Sequence, residues 1–387
     1  MRPMHGRFVL ALSVLLLAAV PGSSAADWKS YQVVTAGFAI AMPGAWVDVT
    51  SAAPEMLKAI AKDPSLEATA KLASETDAIR LLIADPVSKG RAYMDAGVQR
   101  VGDVKLATLA TATADELRKV AGVDKKEVKL TSLSLPAGSA SLIIFATSAK
   151  TGAAETAEYM LVKGQIEYVF AYSAPRATWA KYAAIFATSA KTFRFLKGPD
   201  LTHTVLSGAQ VGAGYKLQTF PGGDSVIGES TLDLCAGNYP SEALRVGRLQ
   251  VRYTHPGHFV YVSNEVVTYV PGGAQQALSE VTKEAKACTK KPVVIHSGGT
   301  TTTFRLTPLA DPGLPANAVA VRIVATSTAG KKRVVRRGVA IYQVKGNTLS
   351  GVYAFSQTGT TPADAARVGL HAAVESARNL GGLALTA

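Results

Sequence analysis

The stretch AEYMLVKGQIEYVFAYSAPRATWAKYAAIFATSAKTFRF, residues 157–195, changes its hydrophobic period once, and that change decides the fold class. Up to Pro175 it is rich in β-branched and aromatic side chains, the composition of strands, and Lys163-Gly164 interrupts it where a hairpin turn fits. Beyond Pro175, Trp179, Tyr182, Ile185 and Phe186 recur at helical spacing, so one helix face should pack on the sheet. Antiparallel strands with helices laid against them make an α+β domain.

The neighbouring segments extend the pattern. FAIAMPGAWVDV (38–49) reads as two short strands around Pro43-Gly44, and AIRLLIADP (78–86) as a buried strand. EVKLTSLSLP (127–136) and SASLIIFATSA (139–149) add long strands. Helices are expected over 52–62 and over TADELRKVAG (113–122), the second capped by Thr113 with Glu116 three residues on. In FRFLKGPDLTHTVLSG (193–208), the polar cluster Lys197, Gly198, Pro199 and Asp200 breaks structure, so the domain boundary is placed there. The chain is also longer than one core usually serves. Residues 26–198 and 199–387 are therefore expected to form two α+β domains.

The second part repeats the same element types. RLQVRYTH (248–255), FVYVSNEVVTYV (259–270), TTTFRLTPL (301–309), AVAVRIVATST (318–328), RVVRRGVAIYQVKG (333–346) and TLSGVYAFS (348–356) read as strands. GGAQQALSEVTKEAKAC (272–288) places Ala274, Ala277, Leu278, Val281, Ala285 and Cys288 on one helical stripe. PADAARVGLHAAVESARNL (362–380) opens well as a helix, with Thr361 before Pro362 and Asp364 in the first turn.

The chain begins MRPMHGRFVLALSVLLLAAVPGSSAADWKS, in which Arg2 and Arg7 precede an apolar run and then a tract of small residues. Residues 1–25 thus read as a secretory signal peptide, and the absence of a cysteine near the cleavage region points to a non-lipidated, secreted or extracytoplasmic protein. The chain carries 41 basic and 28 acidic side chains, a formal charge of +13. Residues 199–387 hold 18 and 11 of these. A basic exported protein is attracted to anionic cell-wall polymers, lipid head groups or phosphates. Nucleic acid is not expected as a partner, because no stripe of interleaved basic and aromatic residues is present.

Two family resemblances follow from particular residues. GFAIAMPGAW together with MLVKGQIEYVFAYSAPRATWAKYAAIFATSAKTFRF resembles the MOG1/PsbP-like fold, with Phe38, Ile40, Pro43 and Trp46 in its opening motif. The run from LDLCAGNYPSEALRVGRLQVRY through the helix ending in Cys288 to GNTLSGVYAF resembles the extracellular sensor domain of PknH-type receptor kinases. Only one cysteine pair is present where that sensor has more, and residues 1–387 include no kinase. The resemblances imply a non-enzymatic binding or sensing protein of the bacterial cell envelope, without a cofactor.

Candidate chemistry is sparse. Cys235 and Cys288, the two cysteines of an exported chain, are expected to form a disulfide. HPGH sets His255 and His258 in a turn, and with only His296 and Glu265 near in sequence no metal site is expected. In PGGDSVIGES, Ile227 stands where a nucleophile elbow needs glycine, so Ser225 reads as a turn residue. GAQVGAGYK completes no phosphate loop. The alternative of an envelope hydrolase would need Ser225, His255, His258 or His296 brought together in three dimensions, and a structural partner protein would show an exposed apolar patch. The strongest feature is TSTAGKKRVVRRGVAIY, residues 326–342, in which Arg333 and Arg337 share one strand face and Arg336 takes the other. Arginine suits phosphate and carboxylate, so the expected anion site is a groove bordered by Arg333, Arg336 and Arg337, with Arg245, Arg248 and Arg252 contributing.

Overall fold

The computed structural model describes residues 27–50, 79–88, 91–149, 152–218, 223–256, 260–311, 313–356 and 362–381. The predicted signal peptide, the helix predicted over 52–62, His258 and Thr361 lie outside them. The chain divides into two compact units, Met1–Lys197 and Gly198–Ala387. Each is α+β, with antiparallel sheets and packed helices. Among the described residues, no helix is long and apolar enough to cross a membrane.

In the first unit, β1 (Trp28–Val33), β2 (Phe38–Pro43) and β10 (Arg194–Phe195) make a small sheet ordered β1-β2-β10. A seven-stranded antiparallel sheet runs β3-β4-β5-β9-β8-β7-β6. Its members are β3 (Val47–Asp48), β4 (Leu81–Ala84), β5 (Tyr93–Arg100), β6 (Lys129–Leu135), β7 (Gly138–Ala149), β8 (Gly152–Lys163) and β9 (Ile166–Pro175). The β8–β9 hairpin pairs Lys163 with Ile166 across the turn that Lys163-Gly164 announced. Helix α2 (Trp179–Thr192) buries Tyr182 and Phe186, and Phe186 meets Trp46 edge-on at 6.2 Å and stacks on Tyr172 at 4.9 Å. Offset aromatic contacts of this kind add to the burial of the rings themselves.

Helix α1 (Leu106–Leu117) corrects the predicted start. It begins seven residues before Thr113, with Lys105 rather than Thr113 at the cap. Leu109, Ala110, Ala114 and Leu117 form a buried stripe reaching back past Thr113, and burial of that stripe decides the start. Thr113 is interior, its hydroxyl donating to the Leu109 carbonyl at 3.1 Å.

The buried Tyr182 hydroxyl donates to Asp85 Oδ2 at 2.7 Å and ties α2 to the loop after β4. Tyr182→Phe should cost the first unit about 1.5–3 kcal/mol, the range for a hydrogen bond to a charged group. Urea unfolding followed by tryptophan fluorescence would measure it, and an unchanged midpoint would refute the tie.

The second unit is built on one eight-stranded antiparallel sheet ordered β11-β12-β13-β18-β17-β16-β15-β14. The strands are β11 (Lys216–Gln218), β12 (Arg245–Thr254), β13 (Val260–Tyr269), β14 (Val293–Ser297), β15 (Thr300–Pro308), β16 (Val319–Ala329), β17 (Lys332–Lys345) and β18 (Thr348–Ser356). A short helix α3 (Gly208–Val211) precedes them, and α4 (Gly273–Lys290) and α5 (Pro362–Gly381) complete the unit. Side-chain alternation sends Ala340 and Tyr342 of β17 into one core with Ala277, Val281 and Cys288 of α4. Val339 and Ile341 enter a second core with Ala365, Ala372 and Ala373 of α5. The sheet therefore lies between two helical layers. Its α4 face is only partly covered, and the cleft described next opens there.

A candidate ligand cleft on the second unit

Cys235 and Cys288 form a disulfide with a Cα–Cα separation of 6.3 Å. Cys288 comes from the buried stripe of α4, and Cys235 sits in a loop where both it and Ala236 adopt left-handed backbone. Such a conformation is costly for non-glycine residues and persists where surrounding contacts hold it. Glu242 supplies some of them: its carboxylate accepts from the backbone N–H groups of Thr231 at 3.0 Å and Leu232 at 3.2 Å. The Tyr239 hydroxyl donates to the Leu234 carbonyl at 2.6 Å. Loop 229–236, fixed in this way, forms one wall of a cleft of about 510 Å³ whose floor is the sheet.

Strand register explains which side chains reach that floor. Gln250 pairs with Glu265, Arg252 with Ser263, Tyr261 with Phe355, and Phe355 with Gly338. On the β12–β13 side the lining is polar. Arg248 Nε donates to Glu265 Oε1 at 2.5 Å, with both side chains buried, and Arg248 also donates to Gln250 Oε1 at 2.7 Å. Burial pushes the Glu265 carboxyl up to about 7, against the opposing pull of Arg248.

Arg252 is differently placed. Its guanidinium lies 4.5 Å from the centre of the Tyr261 ring. Its buried Nε has no hydrogen-bond partner among the described residues. The Tyr261 ring stacks in turn on Phe355 at 5.8 Å. Gly338 makes room for that arrangement, because a Cβ there would meet the Ala354 carbonyl at 2.3 Å and the Phe355 ring at 2.5 Å. Burial raises the Tyr261 pKa, while Arg252 and then Arg336 each lower it more than Asp233 raises it. At Tyr261 itself the two arginines outweigh Asp233, while Glu229, Asp233 and Glu265 also line the cleft.

The six arginines singled out in the sequence do not form one groove. Arg333, Arg336 and Arg337 are exposed on β17 as the alternation predicted, but Arg333 and Arg337 lie on the face shared with Val339 and Ile341, the α5 side. Only Arg336 shares the cleft face, and it stands outside the lining residues. Arg245 is buried, its Nε donating to the Glu242 carbonyl, and is not part of the cleft lining. Arg248 lines the cleft but is engaged by Glu265, and Arg252 lines it with its guanidinium over Tyr261 and its Nε unpartnered. The hydrolase candidates have other partners. The Ser225 hydroxyl donates to the Ile227 carbonyl, His255 Nδ1 approaches the Pro256 carbonyl, and His296 Nδ1 approaches Thr301 Oγ1. Among the described residues, no group of three His, Cys, Asp or Glu side chains is placed to hold a metal ion.

Sequence reasoning passed over Tyr261, Phe304, Tyr353 and Phe355, all of which line the cleft. Period-2 alternation does assign Tyr261, Ser263 and Glu265 to one face. No local pattern, however, tells an aromatic side chain that finishes a core from one that lines an opening.

No family model matches the sequence, and no curated protein matches it. Solved structures do. The extracellular domain of PknH from Mycobacterium tuberculosis matches at 12% identity and a TM-score of 0.31, over 47% of this chain and 98% of that one. Cyanobacterial PsbP from Synechocystis matches at 14% identity and 0.32, over 46% and 98%. The type VI secretion immunity protein TplEi from Pseudomonas aeruginosa matches at 11% identity and 0.23, over 87% and 90%. What the chain shares with these proteins is a resemblance of fold at low identity, and it is assigned to no family.

Proposed function

We propose that this chain is an extracytoplasmic, non-enzymatic binding protein of the cell envelope whose second unit takes an anionic ligand in the cleft. The observation that carries the reading is Arg252, stacked on Tyr261 in the lining with an unpartnered Nε and with Arg336 on the same face. A disulfide suits an oxidising compartment, in line with the expected export. The non-enzymatic part of the reading is supported by the separate engagements of Ser225, His255 and His296.

The test is a titration of the full chain with inorganic phosphate and pyrophosphate, read as a shift in thermal unfolding at low and high salt. Binding should weaken with salt. Arg252→Gln should weaken it about tenfold or more, as for loss of a charge-assisted hydrogen bond. A shift that Arg252→Gln leaves untouched would place the anion elsewhere and overturn the reading.

A further inference from the structure

The cleft is polar at one end and apolar at the other, and the gradient runs across the strands. Over β12 and β13 it presents Arg248, Gln250, Arg252, Ser263 and Glu265. Its lining residues from β16, β15 and β14 are Ile323, Leu306, Phe304 and Ile295, with no hydrogen-bonding side chain among them. Leu306 and Ile323 are directly paired across β15 and β16, so this wall is continuous. It ends on β14, the outermost strand, where Ile295 is 37% exposed. Ile295 thus adds exposed apolar surface to the end of the cleft that Phe304, Leu306 and Ile323 line.

We propose that the ligand is a single-chain amphiphile, with a carboxylate or phosphate head held at Arg252 and an alkyl chain laid along the β14–β16 wall. The proposal rests on the anion-binding reading above and adds to it the chemistry of the ligand body. A bare anion would use only the arginine end and leave Ile295 exposed to water. A glycan or peptide would lay polar groups on a wall that offers them no partner, at the cost of desolvation without a compensating hydrogen bond. An alkyl chain meets neither difficulty. The volume of about 510 Å³ lies in the range of sites for small molecules, roughly 300–1,000 Å³. Charge complementarity fixes the direction, head toward Tyr261 and tail toward β14.

The experiment is calorimetric titration of the full chain with octanoate, laurate, dodecyl phosphate, dodecyltrimethylammonium and inorganic phosphate, each below its micelle concentration. Laurate should bind at one site at least tenfold more tightly than octanoate, because each methylene fully buried is worth up to about fourfold in affinity. The cationic amphiphile should not compete. Laurate against dodecyl phosphate decides which head the site prefers. Arg252→Gln should weaken every anion about tenfold. Ile295→Glu, at an exposed position that spares the core, should flatten the dependence on chain length and leave inorganic phosphate unaffected. Inorganic phosphate bound at Arg252 with no gain from an added chain would overturn the amphiphile and leave the anion reading standing. Failure of every anion to show an Arg252-dependent signal would overturn both.

Discussion

Removing the Cys235–Cys288 link should lower the stability of the second unit by about 4 kcal/mol. The two residues are 53 apart in sequence, and freeing a loop of that length returns roughly this much chain entropy to the unfolded state. Cys288→Ala is the cleaner variant, since Cys288 is a small residue on the buried stripe of α4 and alanine already recurs along that stripe. Urea unfolding with and without reductant would measure the effect, and reduced wild-type protein should behave like the variant. The cleft should suffer less than the fold. Loop 229–236 also hangs from Glu242 and from Tyr239, so anion affinity should drop severalfold rather than disappear. Identical midpoints in both redox states would show that the crosslink does not limit unfolding.

The element pattern was legible because apolar side chains mark burial, in a continuous run along β9 and at helical spacing along α2. The β8–β9 hairpin and α2 could be read from one change of period, since Tyr182 and Phe186 on the helix and the run from Ile166 to Ala174 on the strand are all buried. Where burial is weak, the reading fails. Strand β14 has four exposed residues of five and gave no alternation to find. The start of α1 was misplaced because a capping signal at Thr113 was weighed above an alanine-rich apolar stripe that begins earlier. The site was hidden for another reason. Arg245, Arg248 and Arg252 are close in sequence and similar in type, yet one is a core residue, one is half of an ion pair and one lines a cleft. What separates them is the partner each meets across the sheet and in the loops, and those partners come from distant parts of the chain.

Arg248→Met should cost about 3–5 kcal/mol near pH 8, the penalty for leaving a buried charge without its partner. The charge left behind is Glu265, which lines the polar end with Arg248 as its 2.5 Å contact. Removing both charges is a different matter. The double variant Arg248→Met with Glu265→Gln should recover most of the loss, because neither group then has to be kept ionised away from water. The pH dependence follows from the direction of the Glu265 shift. Its folded pKa of about 7 stands above the ordinary 4.5, so the folded state holds the proton more tightly than the unfolded chain does. That contribution to stability is fully present below pH 4.5 and is lost as pH rises to 7, a decline of about 3 kcal/mol. Without Arg248 the carboxyl shifts higher still, so the single variant should be penalised much less at pH 5, where Glu265 is neutral, than at pH 8. Urea midpoints of the wild type, both single variants and the double variant at the two pH values separate these effects. A cost of Arg248→Met that is equal at pH 5 and pH 8, or a Glu265→Gln protein with the same pH slope as wild type, would mean that the pair is neither as dry nor as closely coupled as the cleft geometry requires.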